Sequence, residues 1–180
     1  MRGCSFKLEK IYLAVPSLEH KYAYMDMMAE WEETKEHIYP GAIRRGETDY
    51  SKWLKLLETY RKRETCPSHL VPSDTFFLIN ENKKLLGAIS IMHYLSEQLL
   101  RLSGHIGYGI RPTERRKGYA TAMLKLALEK CKDMGMKQVL ITCDKNNIAS
   151  AKTIISNNGI LENELIEEDG NIIQRYWIEL

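Results

Sequence analysis

The clearest periodicity in the chain is a helical stripe. Ala120, Met123, Leu124, Ala127, Leu128 and Cys131 recur at i, i+3, i+4, i+7, i+8 and i+11. That spacing turns one apolar face of a helix over Arg115–Met134 toward a core. Gly135 follows where a left-handed stop belongs. An earlier helix is predicted from about Leu18 to Thr34 behind Ser17 as its cap. Its Tyr22, Tyr24, Met25, Met27, Met28 and Trp31 read as core, with the lining of an acceptor cleft as the alternative for the methionines. Pro40-Gly41 breaks the chain. A helix then opens at Asp49 or Ser51 and runs to about Arg63, with Trp53, Leu54, Leu56, Leu57 and Tyr60 as its apolar positions. Ile148–Asn157, closed by Asn158-Gly159, is a fourth helix.

Between the helices the pattern shortens to strand length. Phe6–Val15 is the first candidate, ended by Pro16-Ser17. Glu64–Ser73 holds two prolines and reads as a loop. Thr75–Ile79 and Leu85–His93 flank Asn80-Glu81-Asn82-Lys83, a hairpin signal. Tyr94–Ser103 is a loop or a short helix. In Gly104–Ile110, alternation puts His105, Gly107 and Gly109 on one face and Ile106, Tyr108 and Ile110 on the other. Glycines repeated on one face mean either a bend or something passing close to the backbone, such as a ligand. Gln138–Cys143 is almost wholly apolar, as a strand buried on both faces would be. Ile160–Glu167 and Ile172–Ile178 flank Asp169-Gly170-Asn171, a second hairpin. The sum is a mixed α/β chain (α+β by some schemes) with an antiparallel start and a βαβ centre.

Length and composition narrow this only a little. At 180 residues, with no repeat or flexible linker, residues 1–180 read as a single domain. A formal net charge of +2 gives no global drive toward nucleic acid or a membrane surface. No apolar run approaches bilayer-spanning length, and the N-terminal segment lacks a signal-peptide core. Cys4, Cys66, Cys131 and Cys143 are scattered without a CxxC pair, so neither a metal site nor a disulfide framework is expected, and reduced cytoplasmic thiols are.

The local charge is more telling. Arg115-Arg116-Lys117-Gly118 stands where the glycine-rich strand feeds the amphipathic helix. Cations oppose a helix N-terminus by about 0.3–1 kcal/mol each, so three in succession call for a compensating anion. Unpaired N–H groups at the helix start, with a glycine that permits close approach, suit a phosphate or pyrophosphate. A nucleic-acid backbone would also supply phosphates, but no basic stripe with interleaved aromatics accompanies the cluster.

These residues resemble the GNAT superfamily of N-acetyltransferases. The family's cofactor-loop pattern, Arg/Gln-x-x-Gly-x-Gly/Ala, is met by Arg115-Arg116-Lys117-Gly118-Tyr119-Ala120, and its Asn-x-x-Ser/Ala helix start by Asn147-Ile148-Ala149-Ser150. The chain looks most similar to bacterial predicted acetyltransferases sharing the Gly104–Tyr108, Arg111–Ala120 and Thr142–Ser150 segments. The resemblance covers Thr75 to Gly159 and extends in outline to the last hairpin. It implies a mostly antiparallel central sheet of about six to seven strands with helices on both faces. It implies acetyl-CoA as acetyl donor. Tyr108, Gly109 and Ile110 would offer backbone groups to its pantetheine arm, the N–H groups of Arg116 to Thr121 (Lys117, Gly118, Tyr119 and Ala120 between them) would hold the pyrophosphate, Arg115 would belong to the same cofactor-binding loop, and Asn147 and Ser150 would touch the arm or the adenosine end.

The chemistry so implied is direct attack of a primary amine, on a small molecule or a peptide, upon the thioester. It needs a base for the ammonium proton and a donor for the oxyanion or the leaving thiolate. A backbone N–H near Ile110 would serve the oxyanion. Many family members carry a tyrosine seven residues beyond the helix asparagine as general acid. Here that position is Ile154, and Tyr108 and Tyr119 are the substitutes to consider. His105, His93 and Glu97 are candidate bases, with ordered water as the alternative. Ile154 also admits a second reading, a non-catalytic acyl-CoA-binding module. A homodimer is compatible with either. Acidic residues Glu30, Glu32, Glu33, Glu36 and Asp49 either attract a cationic acceptor or are ordinary exposed charges.

Overall fold

The computed structural model describes residues 10–44 and 49–180. The first strand is β1 (Ile11–Ala14); the expected stretch 6–9, like Cys4, lies outside the described residues. A 3-10 turn over Leu18–His20 precedes α1 (Lys21–Thr34), so the first α-helix begins three residues later than Ser17 predicts. The His20 ring explains the delay: its Nδ1 accepts the Ser17 N–H at 3.0 Å. α2 (Tyr50–Arg61) starts behind Asp49, whose Oδ1 accepts the N–H groups of Ser51 and Lys52 at 2.7 and 3.2 Å.

β2 (Ser73–Asn80) and β3 (Leu85–Met92) form the first predicted hairpin. Residues Leu99–Ser103 make a single π-helical turn before β4 (Ile106–Ile110). α3 (Tyr119–Asp133), β5 (Gln138–Asp144) and α4 (Ile148–Ile155) follow, and β6 (Ile160–Ile166) and β7 (Ile172–Glu179) form the closing hairpin.

The seven strands match the expected number, but they divide into two antiparallel sheets, ordered β1-β2-β3-β4 and β5-β7-β6. Alternation along β2 distributes the core. Phe77 and Ile79 point into a cluster with Tyr24, Met27, Trp31 and Trp53 from α1 and α2. Phe76 and Leu78 point into the other, with Met123, Leu124 and Ala127 of α3 and Ile154 of α4. Helices therefore cover both faces of the four-stranded sheet. In α1 the buried set is Tyr24, Met27, Met28 and Trp31, whereas Tyr22 and Met25 are exposed. Val139, Leu140 and Ile141 of β5 are fully buried, as a strand covered on both faces requires.

Candidate active site

β4 and β5 are neighbours without a ladder. Among the described residues they meet through one bridge, Gly104 with Ile141, just before β4 begins. His105 secures that junction twice. Its N–H donates to the Leu140 carbonyl at 2.7 Å, and its Nδ1 accepts the Leu140 N–H at 2.9 Å. Beyond the junction each strand follows its own sheet, and a cleft of about 550 Å3 opens between them. His105, Gly107 and Tyr108 line one wall, Thr142, Cys143 and Asp144 the other. Residues Tyr39–Ala42, from the connection between α1 and α2, close the cleft as a strap.

The strap explains the glycines of β4. A β-carbon on Gly109 would run into the carbonyl oxygen of Tyr39, and one on Gly107 would sit 3.6 Å from the Pro40 Cβ. What passes close to this face is the protein's own strap. The cleft opens instead at the strand's edge, where β4 faces β5.

Downstream of β4, residues Pro112–Glu114 make a 3-10 turn, and Arg116 (φ 61) and Gly118 (φ 83) are left-handed. That backbone stops a helix from starting at Arg115, so α3 begins at Tyr119 and the three cations lie in the loop ahead of it. Two of them already have carboxylates. Arg115 donates to both Glu36 oxygens at 3.0 and 2.6 Å and through Nε to the Ile110 carbonyl at 3.0 Å. Lys117 meets Glu114 at 2.9 Å, and Glu114, buried, also takes Lys84. Burial would raise the Glu114 carboxyl, but its two lysines hold it below the usual range. The uncompensated charge expected of all three cations is therefore confined to Arg116, which is exposed and has no ion pair among the described residues. The start of α3 is open. Gly118 gives α3 no side-chain cap, a β-carbon there would meet nothing within 4 Å, and the first helical bond is Ala122 N–H to Gly118 O at 3.1 Å. The amides of Ala120 and Thr121 precede that bond.

A deeper cluster anchors the same loop. Arg111 is buried and donates to Glu30 at 2.6 Å, to Asp26 at 2.8 Å and to the Leu85 carbonyl at 3.2 Å. Burial opposes its charge, yet the two carboxylates raise its pKa further. Glu30 also accepts the Thr113 N–H, which with Arg111 outweighs its own burial and holds it low. Glu30 and Glu36 thus serve the loop after β4 rather than standing free for an acceptor.

Across the cleft, Asn147 caps α4 by accepting the Ser150 N–H at 3.0 Å. The Tyr108 hydroxyl shares a hydrogen bond of 2.9 Å with the Ser150 hydroxyl, and burial pushes its pKa up to about 12. Of the residues expected to hold the cofactor, the cleft brings together Tyr108, Asn147 and Ser150. Gly109 and Ile110 continue along β4, and Arg115–Thr121 occupy the loop and first turn of α3.

The candidate bases are dispersed. His105 lines the cleft, but burial pushes its imidazole below the ordinary 6.5. With Nδ1 accepting from Leu140, the proton of the neutral ring sits on Nε2. His93 lies outside the cleft lining and pairs with Asp74 at 2.9 Å. Glu97 is exposed and also outside it. Ile154 is fully buried in the core. Sequence reasoning did not find Asp144 and Glu167, which stand in the cleft and share the Asn171 amide at 2.9 Å each. Asp144 ends β5 and Glu167 follows β6, and their proximity depends on the β6–β7 hairpin folding back, a contact no local pattern displays.

Among the described residues no group of three or more His, Cys, Asp or Glu could hold a metal ion, and no helix is long and apolar enough to cross a membrane.

The sequence profile of the acetyltransferase (GNAT) domain family matches residues 10–158. No curated protein matches the sequence. Among solved structures, the fold is similar to microcin C7 self-immunity acetyltransferase MccE in complex with acetyl-CoA and AMP (TM-score 0.65, 18% identity, 95% of this chain and 93% of that one). It is similar to mutant forms of the spermidine/spermine N-acetyltransferase SpeG from Vibrio cholerae (TM-score 0.65, 12% identity, 94% and 93%). It is also similar to a dodecameric spermidine N-acetyltransferase of the same organism (TM-score 0.64, 13% identity, 94% and 93%).

Proposed function

Because the chain belongs to the GNAT acetyltransferase family, for which acetyl-CoA is the donor, we propose that it acetylates a primary amine by direct attack on the thioester. The observation that carries this reading is the unladdered seam between β4 and β5, with an uncapped helix N-terminus at the far end of β4. The residues suit the donor: Gly118 leaves the backbone open, the amides of Ala120 and Thr121 face an anion, and Arg116 adds charge. Bound there, acetyl-CoA supplies an acyl group already activated as a thioester.

The chain's own task is positioning and proton handling. The Tyr108 hydroxyl, protonated throughout the neutral range, is the donor we assign to the leaving sulfur. With a pKa near 12 it stabilises a thiolate by hydrogen bonding rather than surrendering its proton, since the ordinary thiol value is about 8.5. Ser150 orients that hydroxyl. His105, fixed by Leu140, holds the strands together at the junction and presents an N–H. Water beside the cleft carboxylates is then the base that fits best. Asp144 and Glu167 attract an acceptor bearing positive charge. Two of the structural neighbours act on spermidine, which makes polyamines the first acceptors to assay. The reading extends to the whole of residues 1–180 as one domain. It places the enzyme in the cytoplasm, in line with the free thiols of Cys66, Cys131 and Cys143. It includes self-association, for which light scattering on the purified chain is the check.

The test is release of free thiol from acetyl-CoA with a panel of polyamines, amino acids, aminoglycosides and peptide N-termini. Turnover with one class establishes the reaction and names the acceptor. Tight coenzyme A binding with no turnover on any class would favour the acyl-CoA-binding module instead, the reading that buried Ile154 supports.

A further inference from the structure

We infer that Glu36 is a positioning residue: through Arg115 it ties the strap to the loop after β4, so that coenzyme A is held fully only while the strap is seated. The inference rests on the reading that coenzyme A lies along β4 and the loop that follows.

α1 ends at Thr34, and Lys35 turns left-handed (φ 54) to send the chain across β4. Glu36 is the next residue. Three residues on, the Tyr39 carbonyl fills the space above Gly109. The strap's far end is fixed by two side chains of the helical layer: Trp53 Nε1 donates to Ala42 O at 2.9 Å, and the Tyr24 hydroxyl donates to Ile43 O at 2.7 Å. At its near end the Glu36 side chain pairs with Arg115. Arg115 in turn grips the last carbonyl of β4, Ile110 O. One guanidinium therefore joins the strap, the end of β4 and the cationic loop.

The two anchors of that loop differ in kind. Arg111 is enclosed, and its bonds to Glu30 and Asp26 are part of the packed structure. The Arg115 and Glu36 side chains are 39% and 49% exposed. A paired geometry in water adds little to stability, so this bond can be removed without unfolding the protein. Its function is to hold a position. Arg115 keeps the loop's first cation on the protein rather than on the ligand, and leaves Arg116 and the helix amides to face the phosphates.

Electrostatics and positioning predict opposite signs for one substitution. Glu36 is a negative charge beside an anion site. If that were its whole contribution, Glu36→Gln would tighten coenzyme A binding. If Glu36 positions Arg115 and the strap, the same change weakens it. Calorimetric titration with coenzyme A itself separates the two. The expected result is about fivefold weaker binding in Glu36→Gln, the scale of one exposed, well-aligned ion pair. Arg115→Gln is expected to lose at least as much, and the double variant no more than Arg115→Gln alone. Midpoints of thermal unfolding are expected to agree within about 2 °C, as for a surface pair. Unchanged or tighter binding in Glu36→Gln, or losses that multiply in the double variant, overturns the inference. A wild-type chain that binds no coenzyme A overturns the parent reading and this one together, whereas a binding wild type with an equally good Glu36→Gln overturns this one alone.

Discussion

The carbonyl oxygen of Tyr39 occupies the space in which a side chain on Gly109 would begin. The strap and β4 are therefore in main-chain contact, and the contact exists only because residue 109 is glycine. Gly109→Ala must lift the strap or bend the strand, at a cost of about 1–3 kcal/mol. Gly107→Ala adds a carbon at an ordinary 3.6 Å from Pro40 and is expected to be tolerated. Thermal denaturation of the two variants checks this; equal losses would remove the special status of Gly109.

Gly118→Ala meets no steric obstacle, since nothing lies within 4 Å, but it forces a left-handed φ of 83° on alanine. The expected cost is about 1 kcal/mol, confined to the start of α3. The Michaelis constant for acetyl-CoA rises several-fold while that for the acceptor stays put. A rise in both would show that the loop and the acceptor side respond together.

Tyr108→Phe keeps the ring and removes the hydroxyl that meets Ser150. The turnover number falls tenfold or more with little change in either Michaelis constant, as expected for a group that acts on developing charge. Burial raises this phenol to about 12 from an ordinary 10. Between those values only the unfolded chain ionises, so stability is lost as pH rises through that window, about 3 kcal/mol in all. Urea denaturation from pH 9 upward is expected to be less pH-dependent in the variant.

His105 makes the complementary prediction at acid pH. Its folded-state pKa lies below the ordinary 6.5 because of burial. As pH falls from 6.5, the unfolded chain takes up the proton first, so the stability held by the neutral ring is full above 6.5 and is lost below it. His105→Gln lowers stability at neutral pH and flattens the curve below 6.5. A wild-type unfolding midpoint that does not move between pH 7 and 5 would refute the assignment of a buried, neutral ring.

Ile154→Tyr places a phenol where many family members carry theirs, but here the position is fully buried, and Ile154 packs against Gly159. The expected result is destabilisation by about 1–3 kcal/mol and no gain in turnover. A stable, faster enzyme would mean that the core yields and the cleft lacks an acid.

The elements were legible wherever a period was long or a stop signal strong. The α3 stripe, the two hairpins and the all-apolar β5 follow from local chemistry that tertiary packing reinforced. The start of α3 was not legible, because Arg116 is left-handed without being glycine and no pattern announces it. The meaning of Gly107 and Gly109 was half legible: close approach was correct, but the approaching group, Tyr39-Pro40, is about seventy residues away in sequence, a separation across which single-sequence periodicity carries nothing. The same distance hid the partners of Arg111 and Arg115. Their carboxylates, Glu30 and Glu36, sit on α1 and just beyond it, and looked like ordinary helix charges until the fold brought them to the loop.

A cleft formed by omitting a ladder depends on few side chains for its existence. Along β4 and β5 the facing edges are backbone, so substitutions there need not close the opening. The exception is the vertex. Gly104 is left-handed (φ 70), and a β-carbon on it would come within 2.5 Å of the Leu140 carbonyl. A side chain is excluded at that point, where the two sheets still touch through the bridge to Ile141.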